Sequence, residues 1–473
     1  MAVGSSNSFD LVVLGAGTGG YAAAFRASQL GLRVALVDEG RIGGTCLHRG
    51  CIPTKALLES AAVAQRVRHA ADFGVNVPGE AVIDYAKVAQ RRDQVVNRMW
   101  KGLGSLVKKY NVTWVQGRGR LDGAHKVRVK GEDGNEVVLE ATDVILATGS
   151  RVKSLPGITP DGKRIVTSDD VLKMESLPAS AIVIGAGAVG VEFASFYHDL
   201  GSTVTLLEYL PAVVPLEDRD VSKELERSFT RRGIKVMTNA RFDAASVAAD
   251  DGGVRITVGP DGGQAEEIRA EVLLVAAGRA TNVEDVGLET TSAEVDRGIV
   301  KVDGRMRTRE AHLYAIGDIV GGLQLAHTAA HEGLIAASVI AGESDVHPMD
   351  YVRQPRATYC RPEIASVGLT EQQCEAQGIP VKIGKVPFQA VGKAIIGGEY
   401  EGFAKIIGHA ETDETLGIHL IGPHATDLIA EASLALFLEA TPWEIGAATH
   451  AHPTLSEILG ETAMAVDGRS INF

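Results

Sequence analysis

The sequence predicts an α/β protein with two Rossmann-like dinucleotide-binding domains followed by a C-terminal α+β domain. Three observations predict it: a strand–glycine turn–helix pattern over residues 10–38, a second copy over 181–208, and a change of patterning from residue 351 onward.

The first copy opens with DLVVLGAGTGG, an apolar strand running into Gly15-x-Gly17-x-x-Gly20, and continues as a helical run, YAAAFRASQLG. RVALVDE reads as the next strand and brings Asp38 to its end, 18 residues beyond Gly20. That is close to the spacing at which an acid meets an adenosine ribose. A lone GxGxxG says little, whereas a strand before it, a helix after it and an acid at the next strand end make a dinucleotide site. The second copy, AIVIGAGAVGVEFASFYHDLGSTVTLLE, carries Gly185, Gly187 and Gly190 and ends at Glu208. With about 170 residues between the copies, these are two nucleotide units and not a solenoid of short repeats. In each, the free N–H groups at the helix start can take a pyrophosphate, and the glycines let it approach the backbone.

VTWVQGRGRL and DVILATGS read as strands returning to the first domain, and VLLVAAGRA as the strand that ends the second. HLYAIGDIVG is a further strand, whose Gly317-Asp318 sits where a chain can meet a ligand hydroxyl or phosphate. The expected division is a first domain at 1–150 completed by 281–350, a second inserted at 151–280, and a third at 351–473. In the last, ATYCRPEIASVGLT, FAKIIG and LGIHLIG read as alternating strands and DLIAEASLALFLEA as a helix. TPWEIGAATHAHPTLSEIL reads as a loop entering another helix, opened by Pro453.

A formal charge of −13 argues against a nucleic-acid surface. The N-terminus MAVGSSNSFD lacks the basic and apolar regions of a secretory signal and the pattern of a transit peptide. The longest nearly apolar stretch is Gly-rich and carries Glu192, so no membrane span is expected and a cytoplasmic location is the default.

Four cysteines in 473 residues do not make a disulfide framework. Cys46 and Cys51, in GGTCLHRGCIPTKAL, are the close pair. A metal site lacks a second ligand cluster nearby, and a staple across four intervening residues gains little chain entropy. Five residues of regular helix rise about 7.5 Å, too far for a relaxed bridge. The backbone between the cysteines must therefore leave helix geometry, which Gly50 eases. A redox-active dithiol beside the first cofactor is the favoured reading. Exchange chemistry needs a thiolate and a base, and His450-Ala451-His452-Pro453-Thr454-Leu455-Ser456-Glu457 offers His452, with Glu457 placed to orient its imidazole. Cys360 and Cys374 have no motif around them and read as bulk or surface thiols.

Taken together, GGTCLHRGCIPTKAL, the paired GxGxxG units, ATGS, AIGD and HAHPTLSE resemble the flavoprotein disulfide reductases, the class I pyridine nucleotide-disulfide oxidoreductases, in order along nearly the whole chain. The resemblance implies FAD in the first unit and NAD in the second. It implies that Cys46 exchanges with substrate, that Cys51 faces the flavin, that Lys55 pairs with Glu192 beside it, and that Asp318 binds FAD. Gly44, Thr45, Thr148, Gly149, Ser150, Leu325, Ala326 and His327 join Gly15, Gly17, Gly20 and Asp38 at FAD by the same resemblance. Gly185, Gly187, Gly190, Glu192, Glu208 and Gly278 fall to NAD. His452 with Glu457 is implied to reach the disulfide of the other subunit, which makes the active unit a homodimer with shared sites through 351–473.

Within the family, Glu208 stands where a 2′-phosphate would want Arg, which favours NAD over NADP, and DGRSINF carries no C-terminal cysteine. CIPTKAL and HAHPT are most similar to the members that oxidise protein-bound dihydrolipoamide and reduce NAD in 2-oxo-acid dehydrogenase complexes. That implies lipoyl domains and an acyltransferase core as partners. The alternatives are an NADH-dependent reductase of another low-molecular-weight disulfide and a flavoprotein that only binds or senses. His48 and Arg49 depart from the commonest residues between the cysteines and put the dithiol potential in question.

Overall fold

SFDLVVL is apolar on both faces, which suits the centre of a parallel sheet covered on both sides, and strand Ser8–Leu14 is central. The structure is a computed structural model and describes residues 7–79, 81–260 and 263–473. Two units are distinguished within it, one comprising Met1–Ala56, Ala89–Lys153 and Arg279–Tyr351, the other Leu57–Val88, Ser154–Gly278 and Val352–Phe473.

In the first unit the sheet order is Thr113–Gln116, Val34–Asp38, Ser8–Leu14, Glu136–Leu146, Lys126–Lys130, Arg118–Leu121, with Leu313–Ala315 paired to Glu136–Leu146. The strands flanking Ser8–Leu14 and the late strand Leu313–Ala315 pair in parallel, whereas the two distal strands are antiparallel. Alternation divides the core: Leu11 and Val13 pack with Ala23, Ala24 and Ala27 of helix Thr18–Gln29, while Val12 and Leu14 pack with Val127, Val129 and Leu139. Each such fully buried Val or Leu is worth about 1.5–3 kcal/mol against exposure. Helix Ala326–Ile340 crosses Thr18–Gln29 backbone to backbone: a Cβ on Gly333 would lie 2.5 Å from the Gly19 carbonyl oxygen. The late return of 313–315 to the opening strands is what carries the Gly317-Asp318 turn to the first glycine loop's sheet.

The second unit repeats the scheme. Lys235–Met237, Thr203–Leu207, Ser180–Ile184, Val272–Val275 and Ile165–Thr167 form one all-parallel sheet. A separate antiparallel sheet, containing Ala240–Phe242, Gly253–Pro260, Ala248–Asp250 and Glu266–Ala270, packs against it through Ile256 and Val258. Residues 352–473 add an antiparallel sheet in the order Arg356–Thr358, Glu363–Gly368, Thr415–Gly422, Phe403–His409, Val381–Pro387.

Strand Phe403–His409 was expected to alternate, and it is buried along nearly its whole length. The reason is cover on both faces: Ala404 and Ile406 pack with Ile458 and Leu459 of helix Glu457–Val466, whereas Phe403 joins the core of the second nucleotide unit. Lys405, 1% exposed, extends into that interior, where its ammonium meets Asp218 at 2.9 Å, Asp220 at 3.1 Å and Glu371 at 2.5 Å. A buried ammonium is tolerable only with such partners. Strand Val381–Pro387 and helix Tyr85–Lys109 carry no motif and were not anticipated. No helix among the described residues is long and apolar enough to cross a membrane.

Candidate active site

The two glycine turns follow one rule. Gly15 has φ +108°, and a Cβ there would lie 2.2 Å from the Ala147 carbonyl oxygen; its counterpart Gly185, φ +98°, would meet Ala276 at 2.5 Å. Gly20 and Gly190 would each strike the first glycine's oxygen at 1.8 Å, so the chain itself demands both. Gly17 and Gly187 are different. Their φ angles are ordinary, −67° and −73°, and a Cβ on either would meet nothing within 4 Å. Nothing in the fold requires glycine there, and the open space in front of each is the cradle a nucleotide backbone would fill. Helices Thr18–Gln29 and Ala188–Leu200 both start without a side-chain cap and without an acid in the first turn, leaving their N–H groups and dipoles to an anion. Gly278, φ +101°, likewise faces open space. The residues present therefore fit FAD and NAD.

Asp38 and Glu208 do more than the spacing suggested. Asp38 accepts from Ala16 N–H at 2.7 Å and Gly40 N–H at 2.8 Å; Glu208, 8% exposed, accepts from Ala186 N–H at 2.6 Å and Leu210 N–H at 2.8 Å. Each carboxylate thus braces its own glycine turn and retains lone pairs for ribose hydroxyls. Replacing Glu208 with Arg is expected to narrow the preference for NAD over NADP, and to do so by losing NAD turnover at least as much as by gaining NADP turnover. The ratio of the two kcat/KM values measures it, and an unchanged ratio removes Glu208 from nucleotide selection.

Gly44 and Thr45 open a short helix, Gly44–Arg49, which carries Cys46. Gly50 ends it, and Cys51 starts helix Cys51–Arg68 anew. The break solves the geometry of the pair. Both are thiols, and they hydrogen-bond to one another. That bond, burial and the charge of Cys51 push the Cys46 thiol well above the usual range, while a hydrogen bond from Thr18 and the ammonium of Lys55 pull it back. Lys55 sits one helical turn past Cys51. Thr18 was missed in the sequence, although its place between Gly17 and Gly20 puts it on the first turn facing the dithiol. His48 Nε2 bonds the Ile42 carbonyl at 2.9 Å; a carbonyl only accepts, so that nitrogen carries the proton and the ring ties the cysteine helix to the preceding turn.

Behind the sheet's end, Thr148 Oγ1 donates to the Asn282 carbonyl at 2.6 Å, Asn282 returns a bond to the Thr148 carbonyl at 3.0 Å, and Gly149 turns at φ +70°. Ser150, buried, donates to the Asp318 carboxylate, and Arg279 Nε donates to Ser150 Oγ at 2.6 Å. Arg279 and Asn282 join the site only through the tertiary pairing of Ser150–Val152 with Arg279–Thr281. Leu325 caps helix Ala326–Ile340 without a side-chain bond and with no acid in the first turn, so Ala326 and His327 lie at another uncapped helix start.

In the second unit, Glu192 is 4% exposed and accepts from the Tyr359 N–H at 2.9 Å. His452 Nδ1 lies 2.8 Å from Glu457 Oε1, and its side chain is 76% exposed. His452 and the Thr454 N–H hold the Glu457 carboxyl below its usual range. An ionised carboxylate only accepts, so Nδ1–H donates and Nε2 presents its lone pair to solvent. Pro453 does not open the following helix, which begins at Glu457. Thr454 N–H bonds Glu457 Oε2 at 2.9 Å and Thr454 Oγ1 bonds the Ala451 carbonyl at 2.7 Å, closing a turn where helix was expected. His450, the first histidine of the motif, pairs with Glu431 at 2.7 Å. Cys360 and Cys374 are both buried.

Residues 9–333 match the family model described as pyridine nucleotide-disulphide oxidoreductase, and residues 354–463 match its dimerisation domain. The chain is 46% identical to the dihydrolipoyl dehydrogenase of Bacillus subtilis, covering 98% of this chain and 99% of that one. It is 42% identical to the dihydrolipoyl dehydrogenase of Zymomonas mobilis, covering 98% and 99%. Among solved structures it is similar to LpdA from Mycobacterium tuberculosis, with a TM-score of 0.88 and 30% identity over 96% of this chain and 98% of that one.

Proposed function

Because the chain belongs to the pyridine nucleotide-disulphide oxidoreductase family, we propose that it is a dihydrolipoyl dehydrogenase, oxidising dihydrolipoamide to lipoamide and reducing NAD to NADH. The observation that carries this reading is the Cys46–Cys51 pair beside the first glycine turn, on a chain with a second nucleotide turn. Bound FAD would supply the two-electron redox chemistry that links the dithiol to NAD.

The protein's part is sulfur and proton chemistry. With Cys46 and Cys51 oxidised to a disulfide, a substrate thiolate attacks Cys46 Sγ and Cys51 leaves as a thiolate. The second substrate thiolate attacks the substrate sulfur of the mixed disulfide and expels Cys46, so lipoamide departs and the protein retains two electrons as a dithiol. His452 Nε2 takes the substrate proton, and Glu457 steadies the imidazolium that results. Asp318, Thr148, Gly149, Ser150, Gly44, Thr45, Lys55, Leu325, Ala326 and His327 line the FAD side in this reading. Gly278, Glu192 and Glu208 serve the NAD side. The domains divide at 1–150 with 281–350 for FAD, 151–280 for NAD and 351–473 for the interface. Through 351–473 the protein is a homodimer in which His452 of one subunit serves the disulfide of the other, and the location is cytoplasmic. Steady-state NAD reduction by dihydrolipoamide, compared with NADH oxidation by a panel of small disulfides, tests the substrate. Preference for another disulfide would replace this reading.

The partners in this reading are lipoyl domains and the acyltransferase core of a 2-oxo-acid dehydrogenase complex. Residues 351–473 hold 15 Asp and Glu against 8 Lys and Arg, a net −7 within the chain's −13. Such a surface would steer a basic binding domain, and steering weakens as the Debye length shrinks from about 10 Å at 0.1 M salt to about 3 Å at 1 M. Association of the dimer with an isolated basic binding domain of the acyltransferase core is therefore expected to slow between those concentrations. A salt-independent rate would remove the electrostatic claim.

A further inference from the structure

Glu332 is an acid where the fold has no need of one. It lies on helix Ala326–Ile340 and is 1% exposed, and no cation among the described residues forms an ion pair with it. Its two oxygens are spent on two donors: Gly317 N–H at 2.5 Å and the Tyr351 hydroxyl at 2.8 Å. Burial, together with the charge of Asp318, pushes its carboxyl up to about 7 against the pull of those two hydrogen bonds. A well-packed apolar side chain would serve the interior better, so its value lies in what it holds.

What it holds is the turn that presents Asp318. Gly317, at φ +76°, starts the tight turn Gly317–Val320, and its N–H is fixed by Glu332 from behind. From the other side Asp318 receives Ser150 Oγ–H, itself held by Arg279. The mount for Glu332 is equally rigid. The next residue, Gly333, touches the first glycine-rich helix backbone to backbone: a Cβ on it would lie 2.5 Å from the Gly19 oxygen and 3.1 Å from the Ala23 nitrogen. A Cβ on Gly19 would in turn meet the Ala329 oxygen at 2.9 Å. The carboxyl is thereby referenced to helix Thr18–Gln29, whose uncapped start faces the nucleotide cradle at Gly17.

We propose that Glu332 is a positioning residue for the flavin nucleotide, locking the Gly317-Asp318 turn to the glycine-rich helix so that the two FAD-facing elements keep one spacing. Tyr351 completes the lock by holding the second carboxyl oxygen. This rests on the reading that Asp318 binds FAD.

The experiment is release of FAD from the full-length holoenzyme on dilution, followed by the rise in flavin fluorescence, with Asp318→Asn measured in parallel. Glu332→Ala strands two buried donors and is expected to weaken FAD binding roughly ten-fold. Glu332→Gln keeps an acceptor and the side-chain length, and should restore affinity to within a few-fold of the unmodified protein. Glu332→Asp retracts the carboxyl from Gly317, conserves the charge, and should weaken FAD again if the alanine variant does not fold. Tyr351→Phe should fall between. Unmodified affinity in the alanine or aspartate variant, or equal losses in the glutamine and alanine variants, overturns the positioning role when Asp318→Asn is weakened. Unmodified affinity in Asp318→Asn overturns the underlying reading instead.

Discussion

Cys51→Ser is expected to reduce dihydrolipoamide-dependent NAD reduction to the background of the assay while FAD remains bound. A serine hydroxyl cannot close a disulfide with Cys46, so the two-electron store between substrate and cofactor disappears. Cys360 and Cys374, the remaining thiols, are both buried and do not offer a substitute. The same variant carries a second readout. In the reduced protein the neighbouring thiol is the leading cause of the raised Cys46 titration, and the hydrogen bond from Thr18 and the Lys55 charge oppose it. Removing Cys51 leaves burial as the main upward influence, so alkylation of Cys46 by iodoacetamide should begin at lower pH than in the reduced unmodified protein. Turnover like that of the unmodified protein would end the redox assignment. An unchanged alkylation profile would mean that the thiol–thiol contact does not control Cys46.

His452→Gln is the second large effect. Dihydrolipoamide must lose a proton before it attacks, and its thiols titrate well above neutrality, near the ordinary thiol range of about 8.5. A positioned imidazole gives roughly 10²–10⁴-fold, and reduction of the disulfide by dihydrolipoamide should slow by that factor. Oxidation of NADH by an artificial acceptor bypasses the proton transfer and should be nearly unaffected. Glu457, held below the usual carboxylate range by His452, stays ionised through neutral pH. The carboxylate that orients the imidazole is therefore in place across the neutral range. Equal losses in both assays would indicate a folding defect.

Local pattern carried most of the reading because its rules are local. Gly15-x-Gly17-x-x-Gly20 and its second copy are legible since a strand, a tight turn and a helix start are all decided within about 30 residues. The dithiol spacing was legible for a similar reason, helix geometry forbidding a relaxed bridge unless the chain broke near Gly50, as it does. The limit came wherever a side chain's partner lies far along the chain. Pro453 looked like a helix start, but hydrogen bonds from Thr454 to Glu457 and Ala451 close a turn first. Strand Phe403–His409 lost its expected alternation because distant segments cover both faces.

The two glycine turns, their acids, the cysteine pair and the histidine–glutamate pair were legible in the chain, since each is a short-range constraint written in residue type and spacing. Long-range contacts alone show that Asp38 and Glu208 brace the turns they follow, that Arg279 and Ser150 brace Asp318, and that Glu332 holds the Gly317 N–H. Those contacts join residues up to 168 positions apart. The two acids meet their turns because parallel strands lie side by side, and Arg279 meets Ser150 because two short strands pair antiparallel; no local periodicity records which strand comes to rest beside which.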